Sequence, residues 1–433
     1  MTAPKRTFVG FGFGAIQAGL FLYEAQESGA FDRLVIAEVL PDVVRNVRAA
    51  GGCCRVNIAR SDRVEVADIG PIEILDPAIE DDRQGLIDAI AEAAEIATAV
   101  PSVSFYKSSS PGSIHRLLAR GLVEKCRRGG PRAIVYAAEN HNQAAEILQD
   151  QTWEEIPFQS RARVAGSVRF LNTVIGKMSG TVADHQEIAE GSLVTVTAGD
   201  TRAFLVEEFN RILISRVDFG PGAETFRRGI AVFEEKQDLL PFEEAKLYGH
   251  NATHALAAYL AQLKGIGRIA DLRRSPALMG FLRDAFLEES GRALISRHQS
   301  VDPLFTVEGY RRYAEDLLKR MVNPHLRDTA ERVGRDPRRK LGWDDRLIGT
   351  IRLALSQGIH PWRYSVGAAA ALACLHPELL YGSPCLAPLL EDCWGDRAGE
   401  TSEQAAVEAE IGKAWPILRS WIQGHDLRES GGE

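Results

Sequence analysis

The fold is decided by residues 6–29, RTFVGFGFGAIQAGLFLYEAQESG. Residues 6–11 are typical of a short buried strand, and the amphipathic run that ends at Gly29 is typical of a helix. A turn containing Gly12 and Gly14 lies between them. Glycine lets the backbone approach a pyrophosphate, and the N-terminus of the following helix supplies free N–H groups and a favourable dipole. The stretch therefore predicts the strand, turn and helix that open a dinucleotide-binding domain.

The glycine pattern is imperfect, because Gln17 stands where a third glycine normally lets helix and strand pack closely. A second register that starts at Gly10 is also readable. The next predicted strand, residues 34–37, is followed by Glu38. A carboxylate there would bond the adenosine ribose 2′-OH and repel a 2′-phosphate, which favours NAD over NADP. The alternative is that Glu38 is a solvated strand end.

The remainder of the N-terminal half alternates between predicted strands and helices. Apolar and polar residues alternate over 55–60 and 63–75, which predicts antiparallel strands inserted beside a parallel sheet. Later segments predict a helix at 83–94, a strand at 95–100, a helix at 114–125 and strands at 132–137, 169–178, 193–196 and 204–214. Carboxyl ends of strands face the cofactor in such sheets, so residues 99–102 are expected near the nicotinamide ribose.

The polar cluster after the predicted strand 132–137 contains Asn140, in AAENHN. An amide at this place can donate a hydrogen bond to a substrate oxygen, although Asn140 is equally suited to a plain turn. From these patterns we assign the cofactor to the glycine turn, the second strand end and the ends of two further strands: Gly12, Phe13, Gly14, Ala15, Ile16, Glu38, Ala99, Val100, Pro101 and Glu139.

The C-terminal half is predicted to be mainly helical, with helices at 241–263, 276–297, 307–321, 344–357 and 364–375. Residues 392–402 are expected to form a loop and the last ten residues to be frayed. The DFGPG loop at 218–222 is a plausible boundary. The fold class is therefore α/β: a Rossmann-type doubly wound domain with inserted antiparallel strands at 1–220, and an α-helical domain at 221–433.

The stretch KLYGHNATH, residues 246–254, carries the candidate chemistry. On a regular helix Lys246, His254 and Asn251 lie at about 0°, 80° and 140° around the axis, with Glu243 at about 60°. An amine, an amide and an imidazole in one arc can hold a substrate hydroxyl and take its proton without a metal. On its own, the same pattern also fits the solvated face of any helix.

A dense basic cluster, RDPRRKLGWDDRLIG, occupies residues 335–349. Arginine presents a bidentate fork to phosphate or carboxylate, so Arg338, Arg339 and Lys340 are candidates for binding an anionic substrate group. The alternative is a solvated loop before a helix.

Composition excludes several classes of function. The net charge is -8, from 51 basic and 59 acidic residues that are interspersed, which gives no footprint for nucleic acid or an anionic membrane. The six cysteines show no metal-ligand spacing, so we expect neither zinc nor disulfides. No apolar run is long enough to span a membrane. We expect a cytoplasmic chain that is a monomer or a homodimer.

Together these residues resemble a known family, the polyol-specific long-chain dehydrogenases (mannitol dehydrogenase family). Within it the chain is most similar to the members that act on mannitol 1-phosphate. The likeness covers most of residues 6–355 and rests on FGFGAIQAG, AAENHN, RFLNTVIGKM, VEEFNRILI, PFEEAKLYGHNATHALAAYL and RMVNPHLRDTAERVGRDPRRKLGWDDRLIG. The resemblance implies an N-terminal NAD-binding domain, a helical C-terminal domain and metal-independent hydride transfer.

The resemblance also implies a role for each candidate residue. Lys246 matches the general acid/base, Asn251 and Asn140 the two amides that hold the reacting oxygen, and His254 the histidine that orients the substrate. Glu243 matches a carboxylate that passes protons to solvent, and Gly12, Gly14 and Glu38 match cofactor positions.

The chain departs from the family at Gln17 and Ala18, in residues 105–113 and 220–229, and after about Gln357. Because of these differences, the resemblance does not identify one substrate. We therefore hypothesise NAD-dependent oxidation of a polyol or polyol phosphate, or reduction of the matching ketose. The alternatives are the same chemistry on a sugar acid or cyclitol, and a catalytically silent NAD-binding sensor.

Overall fold

The computed structural model describes residues 6–381, 385–395 and 401–427. The chain divides into two compact units, Met1–Leu239 and Leu240–Glu433, which we call the N-terminal unit and the C-terminal unit. The boundary lies later than the one placed at 220 from the sequence. Residues 221–239 belong to the N-terminal unit because a strand within them, Glu234–Lys236, pairs with Leu213–Ser215 in its main sheet.

Strands form two sheets in the N-terminal unit. In chain order they are β1 (Thr7–Phe11), β2 (Arg33–Ala37), β3 (Cys54–Ala59), β4 (Val64–Ile69), β5 (Glu73–Leu75), β6 (Ala93–Thr98), β7 (Ala133–Ala137), β8 (Val168–Val174), β9 (Ser179–Val182), β10 (Ala203–Glu207), β11 (Leu213–Ser215) and β12 (Glu234–Lys236).

The main sheet has the order β12-β11-β8-β7-β6-β1-β2-β5. Strands β5, β2, β1, β6, β7 and β8 are all parallel. If the inserted β3 and β4 are set aside, this is the 3-2-1-4-5-6 order of the Rossmann fold. The predicted α/β class with a doubly wound N-terminal domain is therefore confirmed. Strand β11 then adds antiparallel to β8, and β12 closes the edge.

The inserted strands form a sheet of their own, with the order β4-β3-β10-β9. The prediction of antiparallel strands is correct for β3 and β4. It is wrong for the end of the segment 63–75, where Gly70 and Pro71 end β4 and the short β5 joins the main sheet in parallel to β2.

Two later strand predictions also need correction. Residues 193–196 are not a strand, because their backbone makes no ladder with a neighbouring strand. The Asn57 side chain bonds both the N–H and the carbonyl of Val194, and Val196 accepts a hydrogen bond from the Arg55 N–H and donates one to the Arg202 carbonyl. The predicted strand 204–214 is two strands, β10 and β11, which belong to different sheets.

Helices cover both faces of the main sheet in the N-terminal unit. Because side chains alternate along β1, Phe8 belongs to one apolar cluster with Phe21 and Phe204, whereas Val9 belongs to the other with Leu117. The helices are α1 (Tyr23–Glu27), α2 (Pro41–Ala49), α3 (Glu80–Glu92), α4 (Ile114–Arg128), α5 (Ala144–Glu155), α6 (Phe158–Ser167) and α7 (His185–Glu190). A π-helical turn, Gln17–Leu22, leads directly into α1.

In the C-terminal unit the described residues form helices joined by turns and loops, with one isolated bridge between Arg268 and Thr329. Its helices are α8 (Leu240–Glu244), α9 (Ala252–Leu263), α10 (Pro276–Asp284), α11 (Arg292–Arg297), α12 (Val307–Met321), α13 (Ala330–Gly334), α14 (Pro337–Lys340), α15 (Ile348–Ser356), α16 (Trp362–Leu375), α17 (Ala387–Trp394) and α18 (Thr401–Ile422). Two further π-helical turns, Ala245–Asn251 and Ala285–Gly291, join α8 to α9 and α10 to α11. The predicted helical domain is therefore confirmed.

The region after Gln357 contains the predicted helix 364–375, which lies within α16. Helix α16 is almost completely buried, and it approaches α9 so closely that a Cβ at Gly367 would lie 2.7 Å from Leu256 Cδ1. The predicted loop at 392–402 is wrong at its ends, since residues 392–394 belong to α17 and 401–402 to α18, while residues 396–400 lie outside the described residues. Of the last ten residues, only 424–427 are described. No helix in the described ranges is long and apolar enough to cross a bilayer.

Candidate active site

The glycine turn lies where the strand order of the main sheet reverses. Strand β1 pairs with β2 on one side and β6 on the other, and Phe11 is in register with Ala37 and Thr98. Gly12 has a φ of +83°, and a Cβ there would lie 2.8 Å from the Ala99 carbonyl oxygen. Only glycine fits such a conformation at such a distance. A Cβ at Gly14 would meet no atom within 4 Å, so the backbone is open to approach at that point.

The missing third glycine is compensated on the strand side. The Gln17 side chain is completely buried, and a Cβ at Gly10 would lie 2.1 Å from its Nε2 atom. Gly10 therefore makes the room that a glycine at position 17 would otherwise make. Both amide atoms of Gln17 are buried without a hydrogen-bond partner among the described residues.

Glu38 follows β2 directly and is buried. Its carboxylate accepts a hydrogen bond from the Phe13 N–H at 2.8 Å and another from the Leu40 N–H at 2.8 Å. The acidic side chain therefore ties the end of β2 to the glycine turn. Phe13 and Ala15 are buried beside it and Ile16 is partly buried, so these residues shape the turn through packing and backbone groups.

Glu139 organises the carboxyl ends of β6 and β7. Its buried carboxylate accepts hydrogen bonds from the Thr98 hydroxyl at 2.8 Å, the Val100 N–H at 2.9 Å and the Tyr106 hydroxyl. Burial raises the pKa of Glu139. The network fixes the loop from Ala99 to Pro101 in which the sequence placed cofactor contacts, whereas Asn140 lies next to Glu139 on the exposed bend.

In the C-terminal unit, the lysine–asparagine–histidine stretch is not a regular helix. The Ala252 N–H bonds to the Leu247 carbonyl five residues earlier, which defines a π-helical turn. Because such a turn closes on the fifth residue rather than the fourth, side chains five apart come round to the same side. Lys246 and Asn251 are five apart, so on this turn their separation around the axis is smaller than the roughly 140° of a regular helix.

The Lys246 ammonium is partly buried on this turn. Burial and the positive charge of Arg346 lower the pKa of Lys246 to about 8, while the carboxylate of Glu243 acts in the opposite direction. The proximity of Glu243 to Lys246 that the sequence predicted is therefore present. A lysine with this pKa is substantially neutral at pH 8 and can accept a proton.

His254 lies one turn beyond Asn251 on α9. Its Nε2 atom is buried, has no hydrogen-bond partner in the described ranges and lies 3.9 Å from the Asp328 carboxylate. Burial and the charges of nearby cations lower the pKa of His254 to about 3. The imidazole is therefore neutral at physiological pH and can donate or accept a single hydrogen bond at each ring nitrogen.

The structure bonds each of the three predicted anion-binding residues to the chain itself, although Lys340 lies close enough to His254 to lower the pKa of that imidazole. Arg338 is half exposed and pairs with Asp392. Arg339 is half exposed and bonds Asp336 at 2.9 Å and Asp345 at 3.2 Å. The buried Lys340 ammonium donates to the carbonyls of Val333 and Arg335. All three are therefore engaged with the chain itself.

Arg346 is the basic residue that sequence reasoning missed. Its positive charge lowers the pKa of Lys246, His254 and Lys340 alike. Its side chain is only 12 % exposed, and its Nε atom donates to the adjacent Asp345 carboxylate at 2.7 Å. The signal available in the sequence was its place beside two aspartates, WDDR, within the cluster already quoted.

No group of three or more histidine, cysteine, aspartate or glutamate side chains is placed to hold a metal ion in the part of the chain that the structure describes. All six cysteines are free thiols.

The comparisons with known proteins agree with this geometry. A glycine turn at the switch point of a 3-2-1-4-5-6 sheet, with an acidic residue after the second strand, defines a Rossmann-type dinucleotide-binding dehydrogenase. Residues 238–379 match the mannitol dehydrogenase C-terminal domain. The chain is 30% identical over 362 residues to mannitol-1-phosphate 5-dehydrogenase of Bacillus licheniformis, covering 84% of this chain and 86% of that protein. The chain belongs to the mannitol dehydrogenase family, the polyol-specific long-chain dehydrogenases, and is an oxidoreductase of that family.

Two solved structures share the fold. Mannitol 2-dehydrogenase of Pseudomonas fluorescens, in a ternary complex with NAD and D-mannitol, superposes with a TM-score of 0.68 at 16% identity, covering 96% of this chain and 93% of that chain. D-sorbitol dehydrogenase in substrate-free form gives a TM-score of 0.71 at 15% identity, covering 97% and 93%. These structures show the shared fold, while the family suggested by the sequence is confirmed by the 30% identical relative and the C-terminal domain match.

Proposed function

We propose that the protein is an NAD-dependent dehydrogenase that oxidises a secondary alcohol of a polyol or polyol phosphate, and reduces the matching ketose in the reverse direction. The names of its relatives support this class of substrate. The observation that carries the proposal is a lysine whose pKa is lowered to about 8 on a π-helical turn that also presents Asn251.

The residues of the N-terminal unit fit the cofactor. The missing Cβ of Gly12, the open backbone at Gly14 and the N-terminus of the following helix form a cradle for a pyrophosphate. Glu38, with its carboxylate already oriented by two backbone N–H groups, would accept the ribose 2′-OH and repel a 2′-phosphate. Ala99, Val100, Pro101 and Glu139 would support the nicotinamide side. When bound, NAD supplies the acceptor for the hydride.

Lys246 is the general acid/base of the proposed reaction. In its neutral form the amine removes the proton of the substrate hydroxyl as the hydride leaves the carbon, and in its charged form it protonates the ketone oxygen in the reverse direction. An ordinary lysine, with a pKa of about 10.4, would be almost fully protonated at pH 8, whereas a pKa of about 8 leaves about half of it neutral. The lowered pKa therefore removes the main obstacle to lysine as a base.

The neighbouring side chains have supporting roles. Asn251 would donate its amide N–H to the developing alkoxide, a contribution of about 3 kcal/mol by analogy with other oxyanion donors. His254, neutral and with an unbonded Nε2, would orient a substrate hydroxyl. Glu243 would carry the proton from Lys246 to solvent. Asn140 enters as the second amide on the family resemblance alone.

The proposed reaction does not use a metal ion, since the lysine transfers the proton and the amides bind the developing oxyanion. The test is NADH formation by the purified protein with NAD and a panel of hexitols, their phosphates, cyclitols and aldonates, with and without EDTA. We expect turnover of polyols or their phosphates that EDTA leaves unchanged. Binding of NADH without turnover on any member would contradict the proposal and favour a sensor, and loss of activity with EDTA would contradict the metal-free mechanism.

A further inference from the structure

We propose that Arg346 binds an anionic group, a phosphate or a carboxylate, on the substrate alcohol, in place of the three cluster residues Arg338, Arg339 and Lys340. This inference rests on the proposed function, because it names the chemical class of the substrate of the same site. It makes Arg346 a residue that determines specificity.

The first observation concerns the guanidinium itself. It is 12 % exposed, and only its Nε atom is bonded, to Asp345 at 2.7 Å. Its two terminal nitrogens make no hydrogen bond or ion pair with any residue in the described ranges. Terminal nitrogens of arginine form the fork that matches the oxygens of phosphate or carboxylate. A nearly buried guanidinium that is oriented through Nε, with its fork unbonded, is therefore ready for an anionic ligand.

The second observation is that Arg346 is fixed against the turn that carries Lys246. The Thr350 hydroxyl donates to the Arg346 carbonyl at 2.5 Å and lies 3.1 Å from the carbonyl of Tyr248 on the π-helical turn. The start of α15 approaches so closely that a Cβ at Gly349 would lie 2.5 Å from Tyr248 Cε1. The position of Arg346 relative to the proposed general base is therefore set by packing of the backbone.

The third observation is the charge balance around the fork. The positive charge of Arg346 lowers the pKa of four nearby basic side chains, those of Lys246, His250, His254 and Lys340. The nearby carboxylates act on other atoms than the fork: Asp345 bonds the Nε atom of Arg346 and also Arg339, Asp328 pairs with Arg332, and Glu243 raises the pKa of Lys246. An anion on the substrate would supply negative charge at the Arg346 fork, to which no carboxylate in the described ranges is bonded.

The other three basic candidates lack this combination. Arg338 and Arg339 are half exposed and paired with aspartates, and the Lys340 ammonium is used by two backbone carbonyls. Of Arg338, Arg339, Lys340 and Arg346, it is Arg346 that is nearly buried and has unbonded terminal nitrogens.

The test compares Arg346→Gln and Arg346→Lys with Arg335→Gln, a matched control that removes one exposed charge from the same cluster. Steady-state kinetics are measured with a hexitol, its terminal phosphate and the corresponding aldonate. For the anionic substrate, we expect Arg346→Gln to raise KM by about 10- to 100-fold, the range for a lost charge-assisted hydrogen bond, with little change for the neutral hexitol. Arg335→Gln should leave all three unchanged. Whether the phosphate or the aldonate shows the effect identifies the anionic group.

The pH dependence separates a charge effect from a structural one. Because the Arg346 cation lowers the pKa of Lys246, Arg346→Gln should move the rise of kcat/KM for alcohol oxidation to higher pH. Arg346→Lys keeps the charge but loses the fork, so it should raise KM while leaving the inflection near its wild-type position. A loss that is equal for neutral and anionic substrates, or a loss produced by Arg338→Gln instead, would overturn the proposal.

Failure of this inference can be told apart from failure of the proposed function. Turnover of the neutral hexitol with a kcat/KM equal to that of its phosphate and of the aldonate would overturn the role of Arg346 and leave the dehydrogenase intact. If no substrate is turned over, inorganic phosphate serves as the probe: calorimetric binding to the wild-type protein that Arg346→Gln abolishes supports the inference, and binding that Arg346→Gln leaves unchanged, or no binding, overturns it.

Discussion

The polar groups of the two candidate sites differ in how they are bonded. In the N-terminal unit the carboxylates of Glu38 and Glu139 accept hydrogen bonds from backbone N–H groups and hydroxyls. In the C-terminal unit the Nε2 atom of His254 and the fork of Arg346 have no such partners in the described ranges. The first set of side chains is held in place by the protein, whereas the second has hydrogen-bonding atoms available to a ligand.

This difference suggests how the two sites recognise their ligands. A dinucleotide is bound chiefly by backbone, so its site needs a rigid turn and an acidic residue already held in position. A polar substrate is bound by side chains, and buried donors without partners make binding selective because a ligand that leaves them unbonded is penalised. The C-terminal unit should therefore determine which alcohol is accepted, and the N-terminal unit which dinucleotide.

Lys246→Ala is the test of this division of roles with the largest expected effect. We expect kcat to fall by about a thousandfold in both directions, since general acid/base catalysis typically contributes that order of rate. NADH affinity, measured by fluorescence titration, should change by less than about twofold because the dinucleotide residues lie in the other unit.

Lys246→Met, which keeps the length of the chain without the amine, serves as the matched variant for Lys246→Ala. If either variant kept wild-type turnover, the lysine would have no part in proton transfer. If NADH affinity collapsed together with kcat, the division of labour between the units would be lost.

Glu38→Arg tests the other side of the comparison. The change removes the acceptor that repels a 2′-phosphate and provides a cation for it, so the ratio of kcat/KM with NADP to that with NAD should rise by about a hundredfold. The measurement is paired cofactor kinetics on one substrate, with Glu38→Gln as the control because it keeps an acceptor for one of the two N–H groups.

The KM for the alcohol should stay unchanged in Glu38→Arg. An unaltered cofactor ratio would remove Glu38 from cofactor selection, and a change in alcohol specificity would contradict the separation of the two sites.

The comparison also explains what could be read from the sequence. The glycine turn and the position of Glu38 could be predicted from the sequence because both depend on local features. These are a positive φ at Gly12 and a carboxylate one residue beyond a strand. The helical runs 276–297 and 307–321 are visible because apolar spacing and proline mark them, and their bounds agree with the structure.

The C-terminal site could be predicted only in part. Spacing over 246–254 suggested that Lys246, Asn251 and His254 share a face, but nothing in the residues indicated a π-helical turn, which depends on packing. Gly249 illustrates the reason, since a Cβ there would lie 2.5 Å from the Tyr310 hydroxyl and 2.8 Å from Phe286. The importance of Arg346 could not be predicted for a similar reason. To choose among the basic residues of the cluster, one must know which of them form hydrogen bonds with neighbouring groups.

Gln17 differs from Glu38 and Glu139 because its buried amide has no partner in the described residues, and its substitution gives the smallest expected effect. Such a buried group costs about 1–3 kcal/mol. Methionine has nearly the same length and no polar amide, so Gln17→Met should raise the free energy of unfolding by about 1 kcal/mol, measured by urea denaturation. Gln17→Ala, which leaves a cavity, should lower it. A loss of stability in Gln17→Met would mean that the amide is bonded in solution, and the N-terminal site would then have no unsatisfied group at its turn.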